Sequence, residues 1–202
     1  MKIITVSREF GSGGRELGKR LSDELGFAYY DNEIISEIAR RTELDENYIR
    51  SITEKGIQGF ACHFGRSFGF SYDHTAVDIL VAQNRVIKEL AEKGDCVIVG
   101  RGADVILKDK NPLKLFVFAD TEHKLERCRK RESAKDMLSD KEMLKKFKEI
   151  DGNRRKMYEL LYSICWGECH EYSLCVNTSG VEIKTLVPTI AEYAKGWFEN
   201  KK

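Results

Sequence analysis

Apolar residues fall into two alternating rhythms along this chain. Five short runs read as strands: a β-branched one at Lys2 to Ser7, "FAYYD" (Phe27 to Asp31), the nearly continuous apolar "CVIVG" (Cys96 to Gly100) and "PLKLFVFAD" (Pro112 to Asp120), and "EYSLCVNTS" (Glu171 to Ser179). Runs of this kind predict strands buried on both faces of a parallel sheet. Between them the spacing becomes helical: Leu17, Leu21 and Leu25 recur behind a glycine turn, and Ile183, Leu186, Val187, Ile190, Ala194 and Trp197 mark one face near the C-terminus. Strands alternating with helices predict an α/β fold, a five-stranded parallel sheet with helices on both faces.

Two stretches exceed that alternation, residues 32–93 and 121–167, both long and helical in pattern. The second is crowded with charge and contains "SDKE" from Ser139, a capping box in which Glu142 reaches back to the cap amide. They read as helical insertions, candidates for moving flaps, within one domain over residues 1–202. No internal repeat or low-complexity stretch interrupts it.

Composition narrows the function classes. With 202 residues, 42% hydrophobic and 10% aromatic, the chain closes one sizeable core, and its two prolines argue against a disordered segment. Lys and Arg number 34 against 33 Asp and Glu, so no long-range field draws nucleic acid or an anionic membrane. An anionic ligand must be caught locally. No charged and apolar leader follows Met1, and no apolar run approaches the roughly 20 residues of a membrane span. A cytoplasmic protein is expected, of undetermined oligomeric state. Cys62, Cys96 and Cys128 are scattered through ordinary elements and read as reduced thiols. "CWGECH", with Cys165, Cys169 and His170, lacks the second paired half of a zinc site.

In an open parallel sheet, ligands sit beyond the carboxyl ends of the strands. Here those positions hold Ser7 to Gly14, Asp31, Gly100 with Arg101, Asp120, and Asn177 to Ser179. Gly11, Gly13 and Gly14 let backbone N–H groups converge on an anion while the following helix turns its positive end toward it. The bland alternative is a tight strand-to-helix turn. The phosphate-loop spacing G-x-x-x-x-G-K-[ST] fits imperfectly: a register starting at Gly13 sets Lys19 in place but Arg20 where a magnesium-binding hydroxyl belongs, and it buries the loop inside a helix.

Other features carry two readings each. "KLERCRKR" (Lys124 to Arg131) fits a phosphate-clamping lid or a solvated helix face, and Asp31 fits a substrate contact or the cap of a helix beginning at Asn32. "GFACHFGRSFGFSYDH" (Gly59 to His74) fits base stacking or loop packing, and its His63 and His74 have no spacing partner.

Four segments together resemble the cytidylate kinase branch of the nucleoside monophosphate kinases, and most closely the bacterial cytidylate kinase-like proteins. They are "ITVSREFGSGGRELGKRLSDELGFAYYD", "CVIVGRGADVILKDKNPLKLFVFAD", "IDGNRR" and "LCVNTSGVEIKTLVPTI", spread over nearly the whole chain. The resemblance implies a P-loop NTPase-type kinase fold with acceptor-binding and lid insertions, ATP as donor, Mg2+ as partner and a nucleoside monophosphate, CMP or dCMP first, as acceptor. Gly11 and Gly13 fall on the loop glycines, with Ser12 between them, while Arg8 replaces the first glycine of the motif. Gly14 takes the place of the loop lysine, and Glu16 that of the residue that helps hold magnesium. Arg15 and Arg8 are the candidates to replace the lysine, and Glu16 the candidate metal ligand, since a carboxylate is a hard oxygen donor.

On the acceptor side, Asp31 matches the aspartate that faces the monophosphate, but Ser36-Glu37 stands where a Tyr-Arg is usual, so one acceptor arginine is missing. Arg101 matches the arginine of a Gly-Arg-Asp whose aspartate is Gly102 here, Arg154 after Asp151 matches the lid arginine, and Arg85 is a looser match to an acceptor contact. Arg15, Arg101 and Arg154 are then the expected catalytic charges. Two alternatives follow from the departures: a kinase for another small metabolite, or a nucleotide-binding regulator without turnover.

Overall fold

The computed structural model describes residues 1–55, 74–131 and 138–200. Five strands are present, β1 (Ile3–Arg8), β2 (Ala28–Tyr30), β3 (Cys96–Val99), β4 (Leu113–Phe118) and β5 (Leu174–Asn177). All pair in parallel, in the order β2-β3-β1-β4-β5. Val6 of β1 lies level with Val99 of β3 and Leu115 of β4, so the segments leaving these strands open on one edge of the sheet. The order reverses at β1, the topological switch point where such sheets take ligands.

Helices α1 (Gly14–Leu25) and α8 (Ile183–Glu199) cover one face. There Leu17 and Leu21 pack with Ile4, Val97, Leu115, Val187 and Ala194. Leu25 and Trp197 are only partly buried against this core. Gly18 lets α1 lie close on β3, since a Cβ at that position would fall 2.8 Å from Val99 Cγ2. The other face is covered by α2 (Glu33–Thr42), α3 (Glu46–Lys55), α4 (His74–Glu92) and the short α5 (Ala103–Ile106). Ile34, Ile35, Ile38, Ile79 and Ile87 are wholly buried there with Ile98 of β3. The first insertion therefore contributes helices to the core.

The second insertion contains α6 (Thr121–Arg129) and α7 (Asp140–Tyr162), the latter opened by the reciprocal capping box of Ser139 and Glu142. Its C-terminal half packs Met157 and Tyr158 against Phe116, Trp166 and Tyr172. Residues 56–73, which include Cys62, His63 and all of the aromatic stretch but His74, lie outside the described residues.

Strands two and five are shorter than their apolar runs. Asp31 N–H turns to the Glu33 carboxylate instead of continuing the ladder, and residues Cys169–Glu171 form a 3-10 turn before β5. Asn32 occupies the N-cap of α2 without a side-chain cap bond, and Asp31 is engaged elsewhere. Among the described residues no helix is long and apolar enough to cross a membrane.

Candidate functional site

Beyond the carboxyl ends of β1 and β3 lies a cavity of about 660 Å³. Its wall carries six arginines and a lysine (Arg8, Arg15, Arg50, Arg101, Arg131, Arg154 and Lys146) against two carboxylates, Glu9 and Glu149. A chain with almost no net charge has gathered its cations around one concave surface. Such a cavity suits an anion.

The loop between β1 and α1 forms the floor. Gly11 and Gly13 take positive φ of 80° and 83°, which favours glycine, and α1 begins at Gly14 with no side-chain cap on its first amides. A Cβ on Gly14 would fall 2.5 Å from Cβ of Arg8, 3.0 Å from its Cγ and 3.2 Å from Val117 Cβ. The space beside the first residue of α1 is therefore filled by the stem of Arg8. The guanidinium of Arg8 runs on across the end of β3, where a Cβ on Gly100 would lie 1.7 Å from Nη1. Glycine is required at both ends of that side chain.

Among the described residues the Arg8 guanidinium makes no hydrogen bond and no ion pair. Burial, with Arg154 next and Arg15 and Arg101 adding to it, pushes it down to about 9, against a partial pull from Asp31. A partly buried guanidinium with cationic neighbours and no acceptor among the described residues is poised for an anionic ligand.

The loop is held from both sides. From α7, Arg154 Nη1 donates to the Arg8 carbonyl at 2.9 Å and to Asp151 Oδ1 at 2.8 Å, while Asp151 accepts from the Phe10 N–H at 2.8 Å. Burial pushes the Asp151 carboxyl up. From α6, Lys124 pairs with Glu9 at 2.6 Å, and Arg127 donates to the carbonyls of Gly11 and Thr178. Thr178 Oγ1 in turn donates to the Ser12 carbonyl at 2.7 Å. Ser12 itself turns inward, its hydroxyl donating to the Glu9 carbonyl, so the expected Ser12 ligand is a buried brace of the loop.

Arg15 leaves the loop sideways. Its Nε meets Asp31 Oδ2 at 2.5 Å, with Asp31 only 3% exposed and Arg15 52%. Arg15 thus joins the loop to the acceptor side, and it does not stand as an unengaged substitute for the loop lysine. The other oxygen of Asp31 is buried without a hydrogen-bond partner. Arg101 is held in a left-handed conformation (φ 58°) between Gly100 and Gly102, both also at positive φ. A non-glycine residue there stores about 1–3 kcal/mol of strain, which the fold retains to aim one side chain. Its guanidinium donates to the Asp31 carbonyl and to Thr53 Oγ1.

Two expected residues are placed elsewhere. Glu16 accepts from Arg20 at 2.9 Å and meets Arg131 at 3.3 Å, so this carboxylate, expected to hold magnesium, is already occupied by two guanidinium groups. Arg85 is 77% exposed, pairs with Glu89 and does not line the cavity. Among the described residues no cluster of three or more His, Cys, Asp or Glu is arranged for a metal, "CWGECH" included.

Sequence reasoning missed three features. Arg50 and Thr53 reach the wall from α3, with no motif to announce them. Lys124 and Arg127 grip the loop, which the charge run left ambiguous. Beneath the cavity, Tyr158 donates to buried Asp104 at 2.6 Å and lies 3.1 Å from the Ser7 hydroxyl. Burial pushes both the Asp104 carboxyl and the Tyr158 phenol up. A buried carboxyl two positions beyond an arginine turn was the one available signal.

Comparison with known proteins agrees with this geometry. A family model described as the cytidylate kinase-like family matches residues 3–180. An uncharacterized protein from Eubacterium ventriosum has a similar crystal structure, with a TM-score of 0.70 and 28% identity over 96% of this chain and 98% of that one. The shikimate kinase of Bacteroides thetaiotaomicron follows at TM-score 0.55 and 14% identity, over 96% of this chain and 98% of that one. The shikimate kinase of Acinetobacter baumannii, solved in complex with shikimate, also gives 0.55, at 15% identity over 100% of this chain and 96% of that one. These two likenesses show the fold, that of the P-loop kinases. No curated protein matches the chain.

Proposed function

Because the chain belongs to the cytidylate kinase-like family, we propose that it transfers the γ-phosphoryl group of ATP to a small acceptor, with CMP or dCMP the first candidate. The observation that carries this reading is the exchange between Arg8 and Gly14. The cation that such a loop needs has moved from the start of α1 to the end of β1, and Gly14 is the space that its stem occupies. Phosphoryl transfer asks the protein for position and for compensation of developing charge, not for covalent help.

In this reading the loop amides and Arg8 hold the donor's terminal phosphates, and Arg154 keeps the loop in shape through its bond to the Arg8 carbonyl. Arg101 and Arg15 line the acceptor side, both held by Asp31, which stands outside the cavity's own lining, and they gather charge around the reacting oxygen. A monophosphate acceptor needs no general base, because its attacking oxygen is already anionic.

One observation favours a second reading. The unpartnered buried oxygen of Asp31 calls for a hydrogen-bond donor, which the hydroxyl of a small metabolite supplies without a nucleotide, as the sugar hydroxyl of a nucleoside monophosphate also does. Incubation with ATP, magnesium and a panel of nucleoside monophosphates and of hydroxylated non-nucleotide metabolites, with ADP measured, tests both readings. ADP release is expected with CMP or dCMP. Absence of release with every monophosphate overturns the first reading, and release only with the non-nucleotide metabolites establishes the second.

A further inference from the structure

Magnesium in a loop of this kind is ordinarily held by a hydroxyl or carboxylate at the start of the helix, as one oxygen of an octahedron completed by water and phosphate. At that point this chain has Glu16, whose carboxylate lies between Arg20 and Arg131. A cation entering there would have to displace two guanidinium groups and sit among their charges. Glu9, the carboxylate at the other end of the loop, is paired with Lys124 and accepts from the Ala119 N–H. Both contacts of Glu9 fall on Oε2, whereas both oxygens of Glu16 are engaged, so the carboxylate at the helix start offers no open ligand position. Glu149, the other acidic residue on the cavity wall, faces the loop from α7.

The cations sit where an ion would work. Arg8 lies against the loop with no acceptor for its guanidinium among the described residues, and Arg131, also on the cavity wall, neutralises Glu16. A guanidinium offers several donors in a fixed fork and binds two phosphate oxygens at once, so it delivers directed charge without a coordination sphere. On the reading that ATP is the donor, we propose that this loop binds the metal-free polyphosphate, with Arg8 and Arg131 supplying the charge that a loop-held magnesium ion supplies elsewhere. The ligand class is a nucleoside triphosphate carrying its full negative charge. Added magnesium competes with the arginines for the same oxygens.

Calorimetric titration of the intact protein with ATP, once in excess EDTA and once in excess magnesium, tests this without reference to turnover. The expected result is binding in EDTA as tight as in magnesium or tighter. The variant Glu16→Thr, which restores a hydroxyl and releases Arg20 and Arg131, is expected to reverse the preference. Magnesium tightening ATP binding to the unaltered protein by about tenfold or more, about 1.4 kcal/mol, overturns the proposal, and loss of that tightening in Glu149→Gln would assign the ion to α7. Absence of ATP binding under both conditions, with folding verified by circular dichroism, overturns the donor reading itself.

Discussion

On the proposed reading, the donor and acceptor sides of the cavity both lack a charge that the resemblance leads one to expect, and they compensate differently. At the loop the proposed answer to the missing ammonium at position 14 is Arg8, six residues earlier, whose stem fills the space beside Gly14. On the acceptor side no such reciprocity exists. Arg15, a neighbour in sequence, has been drawn to Asp31, while Arg85 points to solvent and pairs with Glu89. A local charge relocation is preserved when both positions border one small volume. A charge lost across distant elements is replaced only where the tertiary structure happens to bring another, here Arg101 and Arg50.

The largest test of this contrast is Arg8→Met. It removes the directed charge and leaves the stem, so turnover and ATP affinity should fall together by about two to three decades, as for loss of a preorganised donor. A decline in turnover with ATP affinity intact would assign Arg8 to the acceptor instead. Gly14→Lys alone should overpack against Arg8 and cost about 1–3 kcal/mol of stability in urea titrations. Combined with Arg8→Gly it should recover stability and at least about tenfold of the ATP affinity lost in Arg8→Gly alone. Additivity of the two changes would break the idea of an exchange.

On the acceptor side Asp31→Asn should raise the acceptor KM with little change in ATP affinity, because the contact it loses is to half-exposed Arg15. Its stability cost should stay near about 1 kcal/mol, since water screens that partner. Asp104 sets a smaller, pH-dependent effect. Its folded-state carboxyl value is raised by burial, so its contribution is complete at low pH and is lost as pH rises through that value. Asp104→Asn should flatten this part of the stability profile in thermal melts taken at successive pH values. Arg85→Ala is expected to change stability by no more than about 0.5 kcal/mol and no KM at all, as for a surface substitution. A tenfold rise in acceptor KM would return Arg85 to the site.

Hydrophobic rhythm alone located the five strands, the helices beside them and the parallel sheet, because a strand covered on both faces must be apolar throughout. The same reasoning pointed to the loop, Asp31 and Arg101 as candidates, since ligands gather where strands end, while Arg154 was drawn from the family resemblance. It erred where a side chain had more than one partner within reach. Glu16 and Arg15 adjoin the loop in sequence, yet a helix turn directs Glu16 to Arg20, and the end of β2 offers buried Asp31 to Arg15. Sequence spacing fixes which residues stand near a turn, because backbone geometry is local. Which way a long charged side chain points was decided only by the folded molecule, through the nearest opposite charge and the volume left open, as at Gly14 for Arg8.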